Sequence, residues 1–239
     1  MVTRIDIVSV TTVEGSSSVL ANWLAGLVSV IDFNSVVSGT AVDTVYEPWG
    51  VTFDAVRFDA AALPPRWIRS GHAFASNRYD AMMDSDPNDT TAGQDANVVT
   101  IAASGNAPFD DLTGGVRAVF KRPQLYVSID VQPMAYTGEH TEPSPTTVPY
   151  LQVFGPEPAF PHHGPPTLLA TIYFPLATTD PQFETWQRME FVSASPTPNI
   201  GSVVFSSKTD GGVGAPVYAL FDNLRFAHHL PLTGTDQIG

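Results

Sequence analysis

The chain has 239 residues, of which 43% are apolar, and this is enough to bury the core of one all-β domain. Its 24 acidic and 11 basic residues give a formal net charge of −13, which argues against nucleic acid as a partner. The lack of cysteine excludes disulfides, zinc–thiolate sites and cysteine nucleophiles, and no apolar run is long enough for a membrane span.

The first 27 residues predict an opening strand in 3–13 and one short amphipathic helix in 17–27. Apolar residues recur at helical spacing after a Ser-rich cap, but acidic residues and no basic leader precede them, so we find no convincing signal peptide. We expect 1–27 to be an arm or cap, either covering an open end of the sheets or serving in assembly. The predicted domain is 28–227, and 228–239 form a tail.

Strand signals dominate from residue 28 onward. Leu125 to Gln132 alternates apolar and polar residues, as an antiparallel strand with one wet face does, and Pro and Gly concentrate in the connectors. About ten or eleven such strands predict an all-β fold, an antiparallel two-sheet β-sandwich or jelly roll. Besides 3–13, the predicted strands are 28–34, 50–58, 96–103, 115–121, 124–131, 149–154, 168–175, 184–193, 200–207 and 216–227.

Two carboxylates stand in strands near opposite ends of the chain. At a period of two, Asp32 shares a face with Val28 and Val30, and Asp222 shares a face with Leu220 and Leu224. An ionised carboxylate in an apolar row is costly unless it is paired. If the two strands are neighbours, a shared Ca²⁺ explains both, since this ion takes oxygen ligands. The alternative is that each Asp hydrogen-bonds a turn or an Arg.

Two further polar segments give weaker metal signals. Residues 84–95 place oxygen ligands at the first, third, fifth and twelfth positions of a calcium loop, but Asp89 stands where Gly is required and no helices flank it. The alternative is a solvated acidic loop. The adjacent His pairs at 162–163 and 228–229 point apart on an extended chain and do not predict a zinc site.

Aromatic and hydrogen-bonding residues concentrate in 64–79, a segment predicted to be irregular. A ring with Arg and Asn beside it suits a sugar, because the CH-rich face of the sugar stacks while its hydroxyls bond the polar neighbours. The alternative is that Trp67 plugs the end of the sandwich. The predicted ligand-binding residues are Arg66, Trp67, Arg69, Asn77 and Tyr79.

Several short segments, taken together, resemble the galactose-binding-like jelly rolls of carbohydrate-binding modules and of PEP-CTERM-type bacterial surface proteins. They are Val30-Ile31-Asp32-Phe33, Tyr46-Glu47-Pro48-Trp49-Gly50-Val51-Thr52-Phe53, Ile200-Gly201-Ser202-Val203-Val204-Phe205-Ser206-Ser207 and Leu220-Phe221-Asp222-Asn223-Leu224-Arg225-Phe226. The resemblance covers about 28–227. It implies a structural Ca²⁺ joining the first and last strands, with Asp32, Asn34 and Asp222 as ligands.

The sequence therefore predicts a non-catalytic, calcium-stabilised recognition module for carbohydrate on an extracellular or particle surface. No nucleophile elbow, phosphate-binding loop or paired catalytic carboxylates support an enzyme, although a glycan-active hydrolase or lyase stays open. The alternative is a structural protein of an assembly, such as a virion decoration, a fibre or a surface-layer component, whose partners are neighbouring copies in a homo-oligomer.

Overall fold

A computed structural model describes residues 28–76, 98–100, 114–135, 147–158, 164–174, 187–195, 197–209 and 217–228. The predicted arm in 1–27, the acidic loop in 84–95, and nearly all of the tail lie outside these residues. Two of the predicted ligand-binding residues, Asn77 and Tyr79, do so as well.

The described residues form twelve strands and one 3-10 turn, Glu47–Trp49. The strands are β1 Ser29–Ile31, β2 Val51–Asp59, β3 Arg66–Gly71, β4 Phe74–Ser76, β5 Val98–Thr100, β6 Gly114–Gln124, β7 Tyr126–Ala135, β8 Thr147–Phe154, β9 Leu168–Tyr173, β10 Gln187–Val192, β11 Ile200–Thr209 and β12 Val217–Ala227. Each of the ten strands predicted after residue 28 is present. The prediction of an irregular segment in 64–79 was wrong, because β3 and β4 lie there.

The strands build two antiparallel sheets, which confirms the predicted β-sandwich. Sheet A has the order β10, β7, β12, β5, β4, with β1 also paired to β12. Sheet B has the order β3, β2, β6, β11, β8, β9. Two strands pair with β12 on the side away from β7. β5 pairs with β12 at Phe221, and β1 pairs with it further along, at residues 224–226.

The core lies between the two sheets and follows the alternation of the strands. Val127, Ile129 and Val131 of β7 point into it, and their alternates Ser128 and Asp130 point to the outer face of sheet A. Facing side chains of sheet B complete the core. Near one end, the rings of Phe33, Tyr46 and Phe53 pack edge to face with centroids 5.4–5.9 Å apart.

The prediction that both aspartates stand in buried apolar rows was wrong, although Asp32 does share a face with Val30. In β1 and the turn after it, Ile31 and Phe33 enter the core, whereas Val30 and Asp32 are exposed. In β12, Phe221 and Leu224 enter the core, and Asp222 does not share their face. Neither carboxylate therefore belongs to the core row.

Candidate functional site

The first described strand and the last one lie side by side. In the antiparallel pair of β1 and β12, Ile31 is opposite Leu224, so Asp32 follows at the level of Asn223. The expectation that these two strands are neighbours is confirmed. The pairing brings residues about 190 positions apart in sequence to one place on sheet A.

A β-bulge in β12 sets the direction of Asp222. The register against β7 shifts between Asp222 and Arg225, and Asn223 has a left-handed backbone with φ of 51°. The extra residue lets Phe221 and Leu224 both reach the core, and it turns Asp222 to the outer face of sheet A. Asp222 is nevertheless only 2% exposed.

The carboxylates of Asp32 and Asp222 both act on one phenol. Burial raises the pKa of Tyr46, a hydrogen bond with Ser35 lowers it, and the negative charges of both aspartates raise it further. Asp32 Oδ1 accepts the N–H of Asn34 at 3.2 Å, and Asp222 Oδ1 accepts the N–H of Asn223 at 2.6 Å. Each carboxylate is thus oriented by the backbone just after it.

The side chains on the two paired segments include oxygen donors of the kinds that Ca²⁺ takes. That ion takes roughly six to eight oxygens from carboxylates, amide side chains, backbone carbonyls and water. Asp32 and Asp222 supply two carboxylates, and Asn34 and Asn223 add amide oxygens on the same two segments. Among the described residues, no three His, Cys, Asp or Glu side chains cluster as a metal site, so carbonyl, amide and water oxygens would have to complete the shell.

Beside Asp222, a buried ion network occupies the outer face of sheet A. Asp130, directly opposite Asp222 on β7, is 1% exposed. Its Oδ1 accepts from Arg188 Nε at 2.9 Å and its Oδ2 accepts from Arg225 Nη1 at 2.7 Å. Burial lowers the pKa of Arg188, but the charge of Asp130 and the hydrogen bond to it outweigh burial and leave that pKa raised.

The sequence did not reveal this network. Alternation placed Asp130 on a face expected to be wet, and nothing in the sequence indicates that Arg188 and Arg225 converge on it from β10 and β12. The one usable signal was that each of these residues lies in a strand, at a position facing away from the core.

Trp67 lies on the outer face of sheet B rather than in the end of the sandwich. It is opposite Phe58 of β2, and the two rings pack edge to face with centroids 5.4 Å apart. Its indole N–H donates to Oε1 of Gln152 on β8 at 2.7 Å. The alternative that Trp67 plugs an end of the sandwich was wrong.

The bond between Trp67 and Gln152 requires sheet B to curve. Four strand positions separate β3 from β8, which is roughly 19 Å in a flat sheet. The two side chains and the bond between them span only on the order of 12 Å. We infer from this that sheet B curves toward its outer side, and we call its outer face the concave face.

Polar and aromatic side chains line this concave face in rows. One row crosses β2, β6, β11, β8 and β9 and has the buried Val204 at its centre; its polar members are Asp54, Arg117, Gln152 and Thr171. Arg117 binds Asp54 through two hydrogen bonds of 2.9 and 2.5 Å, so their charges cancel.

A second aromatic pair lies at the far margin of the concave face. Tyr150 is opposite Tyr173, with ring centroids 6.2 Å apart, and Tyr173 is half-exposed. Burial raises the pKa of Tyr150 to about 12, although a hydrogen bond with Ser206 acts in the opposite direction. Aromatic rings thus flank the polar row on both sides.

The two arginines predicted to bind ligand are exposed on β3. Arg69 donates to Asp43 at 2.7 Å, and His72 contacts the same carboxylate at 2.6 Å, so this cluster ties the 41–46 loop to the end of β3. Arg66 is opposite Asp59 at the other end of the strand. Sequence reasoning missed Phe58, Gln152, Tyr150 and Tyr173, which only strand pairing brings to this face.

Comparison with known proteins gives no family for this chain: no protein-family model, curated protein or solved structure matches it. The resemblance to galactose-binding-like jelly rolls therefore stays a prediction. Within the described ranges, no helix has the length and apolar character needed to cross a membrane.

Proposed function

We propose that this chain is a non-catalytic recognition module that binds carbohydrate on the concave face of sheet B and is stiffened by Ca²⁺ between β1 and β12. The observation that carries the proposal is the anchoring of Trp67, whose N–H is bound to Gln152 across the face. A sugar ring stacks on an aromatic side chain held in one orientation, because little side-chain entropy is then lost on binding.

The chemistry of the face favours a neutral glycan. The ring pairs of Phe58 with Trp67 and of Tyr150 with Tyr173 offer apolar surface at both margins. Between them, Gln152 offers an amide N–H and Thr171 a hydroxyl group to sugar hydroxyls. The arginine of this polar row is already neutralised by Asp54, and the whole chain carries −13, so a polyanion is disfavoured.

Affinity electrophoresis through gels containing neutral polysaccharides tests the carbohydrate site. We expect the wild-type chain to be retarded by at least one of them, and Trp67→Ala to lose most of that retardation. Trp49→Ala is the matched control, because Trp49 is 60% exposed but lies in the 3-10 turn rather than on the concave face. Absence of retardation on any polysaccharide, or equal retardation of wild type and Trp67→Ala, contradicts the proposal.

Thermal unfolding with Ca²⁺ and with a chelator tests the cation. A ligand at about 100 times its Kd stabilises the folded state by about 2.7 kcal/mol, which raises Tm by roughly 5–10 °C in a domain of this size. We expect that shift in the wild type and its loss in Asp222→Asn and in Asp32→Asn.

Asp59→Asn is the control for Asp32→Asn. Asp59 also orients a turn, by accepting the N–H groups of Ala61 and Ala62, but it lies at the end of β2 in sheet B, whereas the bulge is in sheet A. We expect Asp59→Asn to keep the calcium-dependent shift in Tm. A wild-type Tm that is the same with Ca²⁺ and with chelator contradicts the calcium part of the proposal and leaves the carbohydrate part standing.

A further inference from the structure

A single nitrogen of Arg225 holds the bulge that carries Asp222. Arg225 Nη1 donates to the backbone oxygen of Asn223 at 3.0 Å and to Asp130 Oδ2 at 2.7 Å. The first bond is to the bulge itself, and the second is to the neighbouring strand β7. Arg225 therefore connects the irregular part of β12 to a regular strand beside it.

Asp130, the residue of β7 that Arg225 binds, is held in place by its surroundings. Asp130 is almost fully buried, and Arg188 of β10 holds its other oxygen at 2.9 Å. The side chain of Arg225 is itself only 15% exposed. Charge-assisted bonds in such a buried setting are stronger than those at the surface, and a buried partner restricts where the guanidinium can lie.

The bulge contains a left-handed residue, Asn223, with φ of 51°. This backbone costs most residues other than glycine about 1–3 kcal/mol, and Asn tolerates it better than most. Without the bulge, the side chains of one half of β12 would exchange faces, because the side-chain period of a strand is two. Asp222 would then leave the position from which it acts on Tyr46 together with Asp32.

We propose that Arg225 is a positioning residue for the cation site, and that it raises the affinity for Ca²⁺ by fixing the Asp222–Asn223 bulge against Asp130. The inference rests on the calcium part of the proposed function. The inference predicts that removal of Arg225 weakens the binding of Ca²⁺, whereas electrostatics alone predicts the opposite. Arg225 carries a positive charge, so its removal would strengthen the binding of a cation if charge alone mattered.

Two substitutions of Arg225 separate positioning from charge. Arg225→Lys keeps the charge but shortens the side chain and loses the planar fork, so electrostatics predicts unchanged affinity. Arg225→Gln removes the charge, so electrostatics predicts tighter binding. We expect both variants to bind Ca²⁺ more weakly, by about tenfold or more, as outer-shell partners of metal sites do when replaced.

Arg188→Gln is the matched control, because Arg188 also binds Asp130 but makes its bond to the other carboxylate oxygen. It removes the same charge from the same network without touching the bulge. We expect its affinity for Ca²⁺ to equal or exceed that of the wild type.

The experiment is calorimetric titration of the full chain with CaCl2 after removal of chelator, with Tm in chelator measured for every variant. A purely structural role of Arg225 would lower that Tm and leave the calcium Kd unchanged. If Arg225→Gln does not fold without Ca²⁺, the calcium Kd of Arg225→Lys decides whether Arg225 has the positioning role. No calcium binding by the wild type overturns the calcium proposal itself. Wild-type binding together with an unweakened Arg225→Lys, or an Arg188→Gln as weak as Arg225→Gln, overturns the positioning role.

Discussion

Single side chains in this sandwich are buried on the outer faces of the sheets as well as in the core. Val204 is fully buried on the outer face of sheet B, and Asp130 is nearly so on the outer face of sheet A. A polar group buried in this way must be paired or be kept neutral. Asp130 is paired with two arginines, whereas Tyr150 is kept neutral by burial.

We predict that Tyr150 makes the stability of the fold depend on pH in the alkaline range. Its pKa is about 12 in the folded state against 10 for an exposed tyrosine, so the folded state holds the proton more tightly. The resulting stabilisation, of about 2–3 kcal/mol at most, is present below pH 10 and is lost as pH rises to 12. Denaturant unfolding across this range should show a shallower decline for Tyr150→Phe than for the wild type.

Tyr173→Phe is the control, because its ring belongs to the same pair but is half-exposed. We expect its alkaline decline to stay closer to that of the wild type, because the charge of Tyr173 is only the smallest of the causes that set the pKa of Tyr150. Equal declines for wild type and Tyr150→Phe would show that Tyr150 ionises as easily in the folded chain as in the unfolded one.

Among the elements, irregularities in the strands decide which side chains meet. The bulge in β12 turns Asp222 outward, and a second register shift lies between Ile200 and Ser202 of β11. Gly201 lies at that second shift, against the chain that leaves β8 at Gly155 and Pro156. Lack of a side chain at Gly201 allows the two backbones to touch.

We predict that Gly201→Ala is strongly destabilising. An added Cβ would lie 2.7 Å from the nitrogen of Pro156 and 2.8 Å from the oxygen of Gly155, and both are backbone atoms that cannot rotate away. Such overpacking costs about 1–3 kcal/mol or more, which is measurable by denaturant unfolding. Gly164→Ala is the control, since its Cβ would meet nothing within 4 Å. Equal stability of the two variants would contradict the close approach.

At the scale of the whole molecule, the net negative charge of the chain does not extend to the polar row of the proposed carbohydrate site. The chain carries −13, yet the ion pair in the polar row of the concave face, Arg117 with Asp54, is closed on itself. Long-range repulsion by the chain therefore acts on anionic polymers and has little to act on in a neutral one.

We predict that retardation by a neutral polysaccharide changes little between low and high salt. The Debye length falls from about 10 Å at 0.1 M to about 3 Å at 1 M, so binding that relied on charge would weaken strongly over this range. Affinity electrophoresis or calorimetry at the two ionic strengths measures it, with a sulfated polysaccharide as the comparison. A steep loss of binding to the neutral polymer in high salt would point to ionic contacts and away from stacking on Trp67.

The sequence by itself determined the class of fold and most of its strands. Alternation and the turn residues between strands are local properties, so they were sufficient for β6, β7 and β11. They were insufficient for β3, where flanking prolines and arginines resemble a loop. They also gave the wrong facing for Asp222, because one left-handed residue at Asn223 shifts the alternation.

Only the tertiary structure decided which residues share a site. Trp67 meets Gln152 across 85 positions of sequence, and Arg225 meets Asp130 across 95. Such pairs depend on strand order, on bulges and on sheet curvature, which arise from packing the two sheets together rather than from any local preference. A period of two tells which face of its own strand a side chain takes, but it says nothing of which strand lies beside it.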